Sequence, residues 1–141
     1  MVKKAPCDGT EPADFRRGVT DSQATEILVK DMSSAQSAVM LALNSDLNLT
    51  DGQYAALCDF AFNVGGKNLK TSTLLTYVNN QEFDKVPSQF RRWVRAGSKE
   101  ISGLMARRER EIALFFDGMP IPRAAPGEDE DVSPIDIRKG E

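Results

Sequence analysis

Carboxylates are the side chains in this sequence that could carry out acid–base catalysis, because the chain contains no histidine. The absence of histidine excludes Ser-His and Cys-His nucleophiles. Cys7 and Cys58 are the two cysteines, and two thiolates without histidine do not make a zinc centre. We therefore expect no metal and no cofactor.

Glu11 and Asp14 are weak candidates for a catalytic pair of carboxylates. They lie three residues apart in a segment that Pro12 keeps from forming a regular helix. The neighbouring Arg16 and Arg17 would lower the pKa of both carboxyl groups, whereas a general acid needs a raised pKa. The alternative interpretation is a pair of solvated loop charges.

Asn63, Ser72 and Thr73 are polar residues at predicted helix termini. The segment Ala61-Phe62-Asn63-Val64-Gly65-Gly66 is an apolar helix that glycine ends, since glycine enters the left-handed region without penalty. Ser72 precedes Thr73-Leu74-Leu75 and is typical of a helix N-cap. Both helix termini offer free polar groups, so a structural role and a binding role are compatible here.

Basic residues outnumber acidic ones between Lys85 and Glu111. The arginines predict a solvated helix surface, with binding of an anionic wall polymer as the functional alternative; they are Arg91, Arg92, Arg95, Arg107, Arg108 and Arg110. No aromatic ladder accompanies them, so nucleic acid is not expected as a partner. Trp93 is expected in the core, with a sugar-stacking platform as the alternative.

The helices that would position these residues follow from capping and periodicity. Capping boxes at Thr20 and Thr50 predict helices from about residue 20 to 43 and from 51 to 64. Ser72 begins a short helix to Val78, residues 83–94 form another, and 103–116 form the last. Asp31 lies on the apolar stripe of the first helix and is interpreted as a boundary residue.

The predicted fold class is all-α, with about five helices. We expect an irregular arm over residues 1–19 and a helical domain over 20–117. Residues 118–141 are rich in proline and acidic side chains and are expected to form a disordered tail. No apolar run is long enough for a membrane span, and the N-terminus lacks the pattern of a signal peptide, so cytoplasmic synthesis is expected.

From Gly18 to Phe116 the sequence resembles the helical lobe of phage-type lysozymes, the muramidases of glycoside hydrolase family 24. The resemblance is carried by the Asn63-Val64-Gly65 turn, by Ser72-Thr73, by Arg92-Trp93-Val94-Arg95-Ala96-Gly97 and by Gly103-Leu104 with Arg107-Arg108. It implies a lysozyme-like helical lobe and hydrolysis of the β-1,4 bond between N-acetylmuramic acid and N-acetylglucosamine. It also implies that Asn63, Ser72 and Thr73 face the saccharide groove.

The same resemblance implies a catalytic glutamate at the end of a first helix, followed by a β-hairpin. Cys7-Asp8-Gly9-Thr10 falls where part of that hairpin should be, and nothing upstream matches the helix or its glutamate. We therefore expect the catalytic hairpin region to be absent or irregular. The expected partner is the peptidoglycan glycan strand, reached after release from the cell. The alternative is an inactive lysozyme-like protein that binds wall glycan or a protein partner.

Overall fold

The computed structural model describes residues 21–141, except for the side chains of residues 21–23 and 27–28. The predicted arm, Glu11, Asp14 and the capping box at Thr20 lie outside the described residues. The chain divides into two compact units, Met1–Ser34 and Ala35–Glu141. The candidate binding residues all belong to the second unit. None of the helices between residues 21 and 141 combines the length and apolar character that crossing a membrane requires.

The architecture is helical, as the sequence predicted. In chain order the helices are α1 (Asp21–Ala42), α2 (Asp51–Val64), α3 (Gly66–Lys70), α4 (Thr73–Asn79), α5 (Val86–Phe90) and α6 (Ser102–Phe115). A 3₁₀ turn over Phe83–Lys85 precedes α5. Between α5 and α6 lies an antiparallel pair of short strands, β1 (Arg95–Ala96) and β2 (Lys99–Glu100).

Helix α2 has the predicted bounds because both of its ends are determined locally. At the start, the Thr50 hydroxyl accepts from the Gln53 N–H and the Gln53 side chain accepts from the Thr50 N–H, which completes the capping box. At the end, Gly65 has a φ of 97°, which a residue with a Cβ rarely adopts. The chain then enters α3, a helix that the sequence analysis missed.

The region between α4 and α6 differs from the sequence prediction. A continuous helix was expected over residues 83–94, but the structure has the 3₁₀ turn and the five residues of α5. Pro87 lies in the first turn of α5, where its missing N–H does no harm. The expected loop after Trp93 contains the β1–β2 pair, with Gly97 at a φ of 72° in the turn.

The core is organised around the ring of Phe60 on α2. Trp93 and Phe90 both meet this ring edge-on, with centroids 5.3 and 5.5 Å away. Phe90 continues the aromatic contacts to Phe115 of α6 at 6.0 Å. Trp93 is fully buried, so the structure agrees with a core position for this residue rather than with an exposed stacking platform.

The acidic segment was expected to be disordered, and the structure shows it packed on the second unit. Ile135 is 4% exposed and belongs to the hydrophobic core. Its N–H donates to the Arg92 carbonyl at 2.6 Å, and its carbonyl accepts from the Arg95 N–H at 3.2 Å. Asp136 forms a parallel bridge with Arg95. The segment contains few apolar residues, and the burial of Ile135 together with these backbone hydrogen bonds stabilises its packing.

We predict that Trp93→Ala lowers the free energy of unfolding by about 3–5 kcal/mol, as expected for the loss of a buried aromatic side chain. The matched control is Phe62→Ala on α2, whose side chain is 40% exposed and whose loss should cost less than about 1 kcal/mol. Urea denaturation of both variants measures the difference. Equal losses would contradict the core position of Trp93.

We also predict that Ile135→Ala lowers the free energy of unfolding by about 2–4 kcal/mol, because it empties a core position. Ile121→Ala, in the exposed part of the same segment, is the control and should cost less than about 1 kcal/mol. Thermal unfolding of the full chain checks both. Stability unchanged by Ile135→Ala would mean that the segment does not pack on the second unit in solution.

Candidate functional site

Asn63 lies near the C-terminal end of α2, half-buried, and its side chain is held by an arginine of α6. Its Oδ1 accepts a hydrogen bond from Arg108 Nη2 at 2.6 Å. The same guanidinium donates through Nη1 to the Trp93 carbonyl at 3.3 Å. The orientation of the Asn63 amide is therefore coupled to the packing of α2 against α6 and to the turn that carries Trp93.

Arg108 is fully buried, and the carboxyl group of Glu111, also on α6, lies directly against its guanidinium. Arg108 Nε lies 2.7 Å from Glu111 Oε1, and Nη2 donates to Oε2 at 3.0 Å. The guanidinium also lies 5.1 Å from the centre of the Phe60 ring, a cation–π contact. Burial lowers the pKa of Arg108, against the opposing effect of Glu111.

Asp59 and Arg107 extend this cluster towards the surface. Arg107 Nη2 donates to Asp59 Oδ1 at 3.0 Å, and Arg107 Nε lies 3.5 Å from Glu111 Oε2. Burial raises the pKa of Glu111 to about 9, and its hydrogen bond with Asp59 acts in the same direction. Burial would raise the pKa of Asp59 too, but the hydrogen bond from Glu111 and the charges of Arg107 and Arg108 outweigh it and lower that pKa.

Glu111 and Asp59 thus form a pair whose environments separate their pKa values, which is the electrostatic pattern of a general acid beside an ionised carboxylate. Accessibility decides against that role, since Glu111 is 1% exposed. A general acid must come within hydrogen-bond distance of the leaving oxygen. We assign this cluster to holding α2, α6 and Asn63 in place.

Ser72 and Thr73 lie at the start of α4 and have different environments. The buried Ser72 hydroxyl accepts from the Leu75 N–H at 3.0 Å and donates to the Leu69 carbonyl at 2.7 Å, so it is an N-cap. Thr73 is half-buried, and both its N–H, at 2.9 Å, and its hydroxyl bond to the Glu141 carboxylate. Of this pair, Thr73 is the residue that presents polar atoms outward.

The interpretation of the arginines as a solvated surface is wrong for Arg92 and Arg108. The Arg92 side chain is 4% exposed and lies 3.1 Å from Glu141 Oε2 and 3.3 Å from Asp131 Oδ2. Carboxylates brought in from other parts of the chain make this burial possible. Arg91 fits the expectation better, because it is exposed and pairs on the surface with Glu109.

A surface cavity of about 570 Å³ lies elsewhere, between α5 and the segment after Gly118. Its lining includes Ser88, Arg91, Pro122 and Val132 and none of the candidate binding residues. Asp31, which the sequence placed on an apolar stripe, is exposed.

Comparison with known proteins identifies the family of this chain. A family model described as phage lysozyme matches residues 5–111. The chain belongs to the phage lysozyme family. The match includes Asn63, Ser72, Thr73 and the whole Asp59–Arg107–Arg108–Glu111 cluster, so the candidate site lies within the phage lysozyme region.

Individual phage lysozyme relatives are named endolysins. The chain is 38% identical over 100 residues to the endolysin of Bacillus phage B103, a match that covers 71% of this chain and 37% of that protein. It is 34% identical over 113 residues to the SAR-endolysin of Enterobacteria phage PA-2, covering 77% of this chain and 67% of the relative. The chain thus spans well under half the length of the B103 relative.

Sequence reasoning missed Asp59 and Glu111. A signal was present for Glu111, because Arg108, Glu111, Ile112 and Phe115 recur at three- and four-residue spacing and so share one face of α6. Charged residues on an apolar helix face indicate an internal ion pair. No comparable signal marked Asp59, whose partner Arg107 lies 48 residues later in the chain.

We predict that Glu111 makes the protein less stable as the pH rises. Its pKa of about 9 in the folded protein lies above the usual glutamate value of 4.5, so the folded state binds the extra proton. The stabilisation is complete below the unfolded pKa and is lost as the pH rises through the folded pKa. The free energy of unfolding should therefore fall between about pH 5 and 9.

Glu111→Gln should remove most of this decline, because glutamine resembles the protonated acid in shape and does not titrate. Glu100→Gln, on exposed β2, is the control and should keep the wild-type decline. Urea denaturation at several pH values measures the three profiles. The same decline in Glu111→Gln as in wild type would show that Glu111 is already ionised at neutral pH in the folded protein.

Proposed function

We propose that this phage lysozyme family member binds the glycan strand of peptidoglycan through the surface that Asn63 and Thr73 present. Asn63 is held in one orientation by a buried guanidinium, and pre-organised polar groups lose little entropy on binding. Thr73 offers an N–H and a hydroxyl, and Ser72 supports it as the N-cap of α4. The observation that carries the proposal is the rigid Arg108–Asn63 contact at 2.6 Å.

The described residues support binding better than catalysis. Glycoside hydrolysis needs a protonated carboxyl group beside the bond and a second carboxylate across from it. Among residues 21–141, Glu111 has the raised pKa that a proton donor needs, and it is buried. We infer that this part of the chain orients a glycan and that it does not supply the proton.

Cleavage of the β-1,4 bond between N-acetylmuramic acid and N-acetylglucosamine is the second candidate function. Membership of the phage lysozyme family favours it, and so do the endolysin relatives. Glu11 and Asp14 remain the candidate carboxylates, and both fall inside the matched residues 5–111. This activity would place the protein in glycoside hydrolase family 24.

We predict that the purified chain sediments with insoluble peptidoglycan and that Asn63→Ala weakens this binding by about 3- to 10-fold, the usual effect of losing one hydrogen-bonding side chain. Asn48→Ala, in an exposed loop, is the control and should bind as wild type does. Circular dichroism must show that both variants remain folded. Equal binding by Asn63→Ala and wild type would contradict a role for Asn63.

Release of reducing ends from the same peptidoglycan distinguishes the two functions. We expect no release above buffer, since general acid catalysis typically contributes 10²–10⁴-fold and Glu111, the carboxyl group with a raised pKa among the described side chains, is buried. Release by wild type that collapses in Glu11→Gln or in Asp14→Asn would instead establish the hydrolase and identify its acid.

A further inference from the structure

The segment 131–141 follows a definite path over the second unit and ends on a candidate binding residue. Backbone bonds attach Ile135 to Arg92 and Ile137 to Arg95, the latter with the Ile137 N–H donating at 2.9 Å. Asn68 Nδ2 then donates to the Ile137 carbonyl at 2.9 Å. These contacts place Glu141 beside Thr73.

The backbone conformation of Gly140 allows the chain to turn so that Glu141 reaches Thr73. Its φ is 81°, in the left-handed region. A Cβ at this position would also collide with the Asn68 amide. Any residue other than glycine at position 140 should therefore move Glu141 away from Thr73.

The Glu141 carboxylate occupies a position built for an anion. One oxygen accepts from the Thr73 N–H at 2.9 Å, and the other accepts from the Thr73 hydroxyl and from Arg92 Nη1 at 3.1 Å. The Glu141 side chain is 21% exposed, whereas that of Arg92 is 4% exposed. The carboxylate thus lies at the surface, directly over a buried cation.

Arg92 depends on this segment for its negative partners. Its other hydrogen bonds go to the Gln89 side chain at 3.1 Å and to the Ser133 carbonyl at 2.9 Å, both neutral. Within the described residues, its carboxylate partners are Asp131 and Glu141, both from the segment. Displacement of Glu141 would leave Asp131 on Nη2 and would free Arg92 Nη1, the Thr73 N–H and the Thr73 hydroxyl to bind another anion.

We propose that Thr73 and Arg92 form a carboxylate-binding site for an acidic saccharide of the wall, and that Glu141 fills this site until the saccharide displaces it. The inference rests on the proposed glycan binding and adds the chemical class of the ligand. N-acetylmuramic acid carries a free carboxylate where no peptide is attached to its lactyl group, whereas N-acetylglucosamine carries none. The segment 131–141 therefore acts as an internal competitor that selects for glycans bearing a carboxylate.

Two variants of the full chain test this competition by different means. Glu141→Gln keeps the size of the side chain and removes its charge. Gly140→Ala keeps the charge and displaces it from Thr73. Gly127→Ala is the matched control, because a Cβ there meets nothing within 4 Å. The probes are a soluble tetrasaccharide of alternating N-acetylglucosamine and N-acetylmuramic acid with free carboxylates, and a tetrasaccharide of N-acetylglucosamine alone.

We expect Glu141→Gln and Gly140→Ala to bind the carboxylate-bearing tetrasaccharide about tenfold more tightly than wild type, as loss of a charged competitor implies. Gly127→Ala should match wild type. Binding of the tetrasaccharide without carboxylates should be unchanged in every variant. Titration calorimetry gives the Kd values, and the NMR shift of the Thr73 amide reports displacement of Glu141 without reference to any ligand.

The remaining outcomes contradict the inference in distinguishable ways. Unchanged affinity in variants whose Thr73 amide has shifted would show that Glu141 leaves without opening a binding site. Equal gains for both tetrasaccharides would show that the segment covers the groove without selecting a carboxylate. Failure of all four proteins to bind either tetrasaccharide would count against the proposed glycan binding itself, and the inference would fall with it.

Discussion

Burial of the Arg108 guanidinium is the interaction on which the structure of the second unit depends. A buried cation requires a nearby negative charge and hydrogen-bond acceptors, because its desolvation is costly. The ionised Asp59 contributes negative charge to this cluster. Glu111, the Trp93 carbonyl and the Asn63 amide provide acceptors, and Phe60 lies against the cation. One side chain of α6 thereby fixes the end of α2 and the turn that contains the tryptophan.

Arg92 imposes a second constraint of the same kind, and it accounts for the order of the acidic segment. The segment has little buried apolar surface apart from Ile135 and the partly buried Ile137, so hydrophobic burial alone would not hold it. Asp131 and Glu141 neutralise the buried guanidinium, and the Ser133 carbonyl accepts from its Nε. A sequence rich in proline and acidic residues is ordered here because it brings the counter-charges that the folded unit lacks.

The sequence predicted those features whose causes lie within a few residues. The α2 bounds follow from the capping box at Thr50 and from Gly65, and the N-cap role of Ser72 follows from its own hydroxyl. The errors arise where partners are distant. Arg92 was taken for a solvated residue because Glu141 lies 49 positions later, and the tail was taken for disordered for the same reason. Single-sequence patterns carry no record of such pairings.

The same limit applies to the candidate site. A general acid must combine a raised pKa with access to the substrate. In this structure, burial raises the pKa of Glu111. The same burial keeps Glu111 from reaching a substrate, so it cannot act as the general acid. A carboxyl group meets both conditions when it lines a cleft that closes over bound glycan, where desolvation accompanies contact. Glu11 and Asp14 lie outside the described residues, and they are the carboxyl groups on which a catalytic role can be tested by substitution.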